Sequence, residues 1–160
     1  MSEMLEAALK YARRGWLVLP LKPGTKEPLI KNGFLNASNA EDTITSWWSR
    51  TPDANIGIRV GLESNLFIID IDNKGGKDGN ERLKELEGRF GRLPATYVVK
   101  TPNGGFHYYF TYPEVLKGRP IKKELAQGVD LKFNGYVVAP PSKLADDQYA
   151  IVTEEGANNE

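Results

Sequence analysis

Residues 66–76 read "LFIIDIDNKGG", and the two aspartates set into that apolar run decide how the chain is understood. The β-branched and aromatic residues predict a strand. Alternate side chains of a strand share a face, so Asp70 and Asp72 are expected to point one way and Phe67, Ile69 and Ile71 the other. The expectation is a sheet that packs a core on one side and presents two carboxylates to a cleft on the other. A buried, unpaired carboxylate is costly, so a cation, a set of donors or open solvent must compensate.

Two carboxylates on one face can share a cation or bridge a pair of cations. A plainer reading is a pair of solvated strand-end aspartates beside a turn. A sharper rival is a calcium loop: in "DIDNKGGKDGNE", Asp70, Asp72, Gly75, Asp78 and Glu81 occupy the first, third, sixth, ninth and twelfth positions. Against it, Lys74 puts an ammonium at the fifth position, and a strand precedes the loop where an EF-hand needs a helix.

Further along, "GGFHYYF" places His107 and Tyr109 on one face and Phe106, Tyr108 and Phe110 on the other. A lone sheet histidine is ordinarily a hydrogen-bonded structural residue. Here Gly104 and Gly105 precede it and allow a ligand or another backbone to approach closely, so the imidazole could also donate to a phosphate oxygen. In "GVDLKF", Asp130 and Lys132 share a face opposite Val129, Leu131 and Phe133, and Asp130 could complete a three-carboxylate set.

The remaining elements follow from spacing. Leu5, Ala8, Leu9 and Ala12 predict a first helix closed by Gly15, and "WLVLP" a short strand. The loop "LKPGTKEPLIKNG" carries Lys22, Lys26 and Lys31. Ser38 and Glu41 stand at capping-box spacing before a second helix running to about Ser49, with at least one of Trp47 and Trp48 in the core. "NIGIRVG" predicts a strand, and Leu83, Leu86 and Phe90 form the apolar stripe of a third helix. "TYVVKT" and "FHYYFTY" form a hairpin through "PNGG". "VDLKF" and "YVVAP" flank Asn134 and Gly135, a hairpin signal, and "YAIV" adds a strand. The order predicts an α+β fold, with one domain over residues 1–153 and a frayed acidic tail at 154–160.

The chain has 160 residues, 40% hydrophobic and 26% charged, with 21 basic and 21 acidic side chains. It has no cysteine and one histidine, which excludes disulfides, cysteine-bound zinc and a three-histidine zinc site. Zero formal charge argues neither for nor against a local basic groove. No run is apolar and long enough to span a membrane, and "MSEMLEAALKYARRGW" reads as a charged amphipathic segment rather than a signal peptide; a cytoplasmic protein is expected, with no membrane partner.

Together, "YARRGWLVLPL", "GTKEP", "ITSWWSRTPDANIGIRVG", "LFIIDID", "LPATYVVKTPNGGFHYYF" and "GVDLKFNGYVVAPPS" resemble, in order, the bifunctional DNA primase/polymerase (Prim-Pol) domain of the archaeo-eukaryotic primase superfamily. The resemblance implies an RRM-like antiparallel or mixed sheet as catalytic core, packed with an N-terminal α/β unit. It implies that Asp70, Asp72 and Asp130 hold two Mg²⁺ or Mn²⁺ ions, without zinc, and that His107, after Gly105 and Phe106, touches the phosphates of the incoming nucleotide. The implied reaction is two-metal, template-directed DNA polymerase chemistry with primer synthesis, in replication of a plasmid, phage or similar element. Its implied partners are a DNA template and primer, dNTP or NTP substrates, and a helical-bundle or helicase domain or subunit in the full system. Lys26, Arg59 and Ser142 are further candidates for nucleotide contact, and Lys117, Arg119, Lys122 and Lys123 for the template backbone. Each of these also reads as ordinary loop or turn chemistry. Two rival functions remain open: an RRM-like module that stacks single-stranded nucleic acid on the "FHYYF" aromatics, and a metal-dependent nuclease.

Overall fold

In the computed structural model, which describes residues 2–154, the chain runs α1 (Glu3–Arg13), β1 (Val18–Leu21), α2 (Glu41–Arg50), β2 (Asn55–Arg59), β3 (Leu66–Ile71), α3 (Gly79–Phe90), β4 (Tyr97–Lys100) and β5 (Phe106–Thr111). It continues through β6 (Glu124–Ala126), β7 (Val129–Lys132), β8 (Tyr136–Ala139), β9 (Lys143–Leu144), β10 (Asp147–Gln148) and β11 (Ala150–Thr153). This is an α+β fold, and every strand pair is antiparallel. Among the described residues no helix is long and apolar enough to cross a membrane. Of the expected tail, Glu154 is described and pairs with Arg14 at 2.7 Å; residues 155–160 lie outside the described residues.

The large sheet has the order β11-β4-β5-β3-β7-β6. Within it β3 and β4 run the same way with β5 between them, and α3 makes the crossover, a split β-α-β arrangement. The order β4-β5-β3-β7 matches the expected RRM-like core, but a 3₁₀ turn at Glu114–Leu116 and the short β6 stand between β5 and β7. The small sheet, β1-β2-β8, is covered by α1 and α2, which also pack on each other. The N-terminal unit is therefore completed by a strand from the far end of the chain.

That pairing corrects the hairpin expected at Asn134 and Gly135. The turn forms, with Gly135 at φ 85°, but β7 pairs with β3 and β8 with β2. The dipeptide carries the chain from one sheet to the other.

Burial explains the rest of the layout. Leu5, Ala8 and Leu9 of α1, Ile44 and Trp48 of α2, the small sheet, and Leu66, Ile68, Val99 and Tyr109 of the large sheet form one continuous core. At its centre the Trp16 ring lies 5.6 Å from that of Tyr97 and 5.5 Å from that of Tyr109. The other face of the large sheet carries two smaller clusters, one around Phe67, Tyr112 and Leu131, the other joining Ile71 and Val129 to Leu83 of α3.

Both faces of β3 are thus packed, not one. The face that bears the aspartates begins inside the main core at Leu66 and Ile68 and opens only at its end. Two smaller expectations also change. Ser38 does not cap α2: its backbone pairs with Val18, and the helix begins after Ala40 without a side-chain cap. Phe90 leaves the α3 stripe and is 74% exposed.

Candidate active site

The open end of β3 builds the site. Asp70 stands directly opposite His107 on β5 and directly opposite Asp130 on β7. Residues opposed in this way project from the same face, with Cβ atoms about 4.5–5.5 Å apart. His107, Asp70 and Asp130 therefore form one row across three strands. Asp72 follows just beyond β3; its N–H donates to the Gly128 carbonyl at 2.8 Å and its own carbonyl accepts from Gly79 at 3.0 Å.

Three glycines make that junction possible. A Cβ at Gly79 would lie 2.4 Å from the Gly128 carbonyl oxygen, and one at Gly105 would lie 2.5 Å from the carbonyl oxygen of Ile71. A Cβ at Gly128 would lie 2.7 Å from the Asp72 carbonyl oxygen. The small residue two positions before His107 thus accommodates backbone rather than ligand. Asn73 ties the same junction together, donating to the Gly104 carbonyl at 3.0 Å and accepting from the Asn80 N–H at 3.0 Å.

The electrostatics follow from burial. Asp70 has its carboxyl raised above 3.8, first by burial, with Lys132 opposing and Asp130 and Asp72 adding to the rise. His107 is 7% exposed; burial first, then Lys132 and Lys26, push its imidazole down to about 3, so the ring is neutral at physiological pH. Its Nε2 lies 3.6 Å from Asp70 Oδ1, outside hydrogen-bond range, and its Nδ1 has no partner among the described residues. Lysines balance the acids loosely: Lys132 Nζ is 3.9 Å from Asp70 Oδ2, and Lys77 Nζ is 3.6 Å from Asp72 Oδ2. Among the described residues no three acidic or imidazole groups are arranged as a ready metal cage. What the row presents is a set of carboxylate oxygens that lysines hold only loosely, and such oxygens suit a hard divalent cation.

A cleft of about 170 Å³ opens over Asp70 and Asp72, lined also by Lys26, Lys74, the Thr101–Gly105 turn and Tyr149. Lys26 is thus brought to the acids, on a loop held where the Tyr136 hydroxyl donates to its carbonyl at 2.6 Å. Lys132, Lys74 and Tyr149 were not among the expected site residues. The strand alternation already placed Lys132 beside Asp130, whereas nothing local marks Tyr149.

The remaining candidates lie elsewhere. Ser142 is fully buried; its hydroxyl accepts from the Ile56 N–H at 2.8 Å and is engaged in holding β2. The Arg59 guanidinium lies 5.5 Å over the Phe34 ring and 3.6 Å from Glu63. Phe34 packs on Tyr136, so Arg59 supports the Lys26 loop at one remove. Lys117 pairs with Glu114 at 3.0 Å, while Arg119, Lys122 and Lys123 are exposed. None of these four lines the cleft, because the flanking Leu116 and Ile121 anchor the stretch to the opposite face of the sheet. Trp48 is core, with its indole N–H donating to Ala54 at 3.0 Å. The calcium-loop alternative loses its ninth ligand, since Asp78 accepts from Glu81 N–H and caps α3.

A comparison with curated proteins finds no match. The family model described as "Bifunctional DNA primase/polymerase, N-terminal" matches residues 8–159, nearly the whole chain. The chain therefore belongs to the Prim-Pol family, and its class of chemistry is primase/polymerase-type nucleotidyl transfer on nucleic-acid and nucleotide substrates.

Proposed function

We propose that this chain extends a DNA primer along a template by two-metal nucleotidyl transfer, as part of the replication of a plasmid, phage or similar element. The observation that carries the reading is the cross-strand row His107–Asp70–Asp130, whose Asp70 lines a cleft together with Asp72, Lys26 and Lys74. Asp70, Asp72 and Asp130 would hold Mg²⁺ or Mn²⁺, whose part when bound is to lower the pKa of the primer 3′-hydroxyl and neutralise charge on the triphosphate. Lys26 and Lys74 supply ammonium donors for phosphate oxygens at the same cleft. His107, neutral and buried, offers a single N–H donor and no charge. Packing of Ile71 and Phe106 behind the row keeps water off its far side.

The enzyme reading is favoured over a stacking module by where the aromatics lie. Tyr109 is fully buried in the main core, and Phe106 and Tyr108 are partly covered where they pack with Leu83 and Leu86 of α3, so much of the "FHYYF" ring surface is engaged in packing. A nuclease would use the same acids, and the direction of the reaction separates the two. Incubated with a primed template, dNTPs and Mn²⁺, the chain is expected to lengthen the primer, and the Asp70→Ala/Asp72→Ala double variant to leave it unchanged. A primer that shortens, or a folded double variant that extends at the parent rate, overturns the proposal.

A further inference from the structure

We propose that Tyr149 contacts the incoming nucleotide: its hydroxyl meets the phosphate chain in the Asp70/Asp72 cleft, while its ring fixes the imidazole of His107 behind it. The inference rests on the nucleotidyl-transfer reading of that cleft and adds a residue to it from the other end of the chain. Tyr149 lines the cleft and His107 does not. The two rings lie 6.3 Å apart and 35° from parallel, with the tyrosine on the cleft side of the pair. The phenol makes no hydrogen bond among the described residues, so it presents a free O–H to a space it shares with two lysines and two carboxylates. That company suits a polyanion with its cations and not a neutral base.

The residue is held rigidly. Its N–H donates to the Ser142 carbonyl at 2.9 Å, and the Ser142 hydroxyl accepts from Ile56 N–H. Next to Ile56, the Asn55 amide donates to the Thr25 carbonyl at 2.9 Å and the Lys143 carbonyl at 2.8 Å, and accepts from Lys143 N–H at 3.1 Å. One buried side chain therefore joins the loop that carries Lys26 to the segment that carries Tyr149. Ser142, expected to touch the nucleotide, acts on it through Tyr149.

Tyr149→Phe keeps the ring and removes the donor. Tyr149→Ala also removes the ring and merges the cleft with the 470 Å³ cavity on its other side, which Tyr149 lines too. The test is equilibrium binding of a dNTP to the whole chain without primer, alongside extension kinetics and the imidazole NMR signals, unambiguous because His107 is the single histidine. Tyr149→Phe is expected to bind the dNTP about tenfold more weakly, the loss of one hydrogen bond to a charged acceptor. Its imidazole signals should stay as in the parent. Tyr149→Ala is expected to shift the imidazole signals and lower kcat as well. Parent-like dNTP binding by Tyr149→Phe overturns the contact, and an unmoved imidazole in Tyr149→Ala overturns the positioning. If the parent fails to extend primers, the functional reading falls, while the binding comparison still decides whether Tyr149 touches the nucleotide.

Discussion

One face of β3 does two opposite things within four residues. Leu66 and Ile68 are wholly buried in the main core, whereas Asp70 and Asp72 on the same face keep side-chain exposures of 26% and 34%. The backbone is continuous, with β5 paired along Leu66–Ile71 on one side and β7 along Ile68–Ile71 on the other. The apolar half does the packing that holds these three strands in register. The acidic half is carried by that register: the Asp70 carboxyl, raised by burial and by the charges of Asp130 and Asp72, costs the fold something. The strand gains stability at one end and gives part of it up at the other, where the chemistry is.

The largest expected effects come from changing one half at a time. Asp70→Asn keeps the shape and removes the charge, and extension is expected to fall by more than about 100-fold, beyond what disturbing only the outer partners of a metal ligand costs. Its stability should move the other way. The Asp70 carboxyl is raised above 3.8 in the folded state, so the folded protein holds that proton more tightly than the unfolded chain. Stability therefore falls as pH rises from 3.8 through the raised value, and removing the charge relieves that loss. In EDTA at pH 7 the variant is expected to melt higher than the parent. Ile68→Ala should do the reverse, costing about 2–5 kcal/mol in urea unfolding while the fraction still folded extends primers. If Asp70→Asn melts as low as Ile68→Ala, the two halves are not divided as described.

A glycine pair tests how far the acidic half depends on register. A Cβ at Gly105 would meet two groups, the Ile71 carbonyl oxygen at 2.5 Å and Thr101 Oγ1 at 2.8 Å, and the first is backbone that cannot step aside. Gly105→Ala is expected to cost about 1–3 kcal/mol and to move the start of β5 away from β3, with His107 drawn off Asp70. At Gly104 no atom lies within 4 Å of an added Cβ, but φ is +82°. There Ala should cost about 1–2 kcal/mol from backbone strain alone. Similar losses of stability are thus expected, with the imidazole NMR signals displaced only in Gly105→Ala and extension falling with them. Equal displacement in both variants would mean that the row tolerates slippage.

What could be read from the sequence divides along the same line. The acids and the histidine were legible because period-two alternation states a side chain's face without reference to its partner, and Asp70, His107 and Asp130 each sit in such a strand. Partners were less legible. Asn134 and Gly135 announce a turn correctly, yet cannot say that the strands on either side belong to different sheets. Ser38 has the spacing of a cap but is held by Val18, and Phe90 has the spacing of a core residue at a helix end where its ring meets the Arg89 guanidinium and solvent instead of the core. Lys26, Asn55 and Tyr149 converge from segments far apart in the chain, through hydrogen bonds that no local pattern encodes. The basic stretch at residues 117–123 is rich in charge, but Leu116 and Ile121 decide which face it hangs from.

Lys132 lies on the boundary between the two halves and gives the smallest expected effect. Its backbone pairs with Ile68, yet its ammonium reaches Asp70 at 3.9 Å. Lys132→Met keeps an apolar stem against the core and removes the charge. The loss of so loose and half-exposed a pair should change stability by less than about 1 kcal/mol. Its effect on cations should be clearer, because an ammonium next to Asp70 competes with any metal ion for the same oxygen. At pH 8, Mn²⁺ is expected to bind the variant several-fold more tightly. Lys132 is the charge that opposes the rise of the Asp70 carboxyl, so without it a proton competes better with the metal and that gain should shrink as the pH is lowered. Unchanged Mn²⁺ binding together with a large loss of stability would place Lys132 wholly in the apolar half and move the boundary one residue closer to the acids.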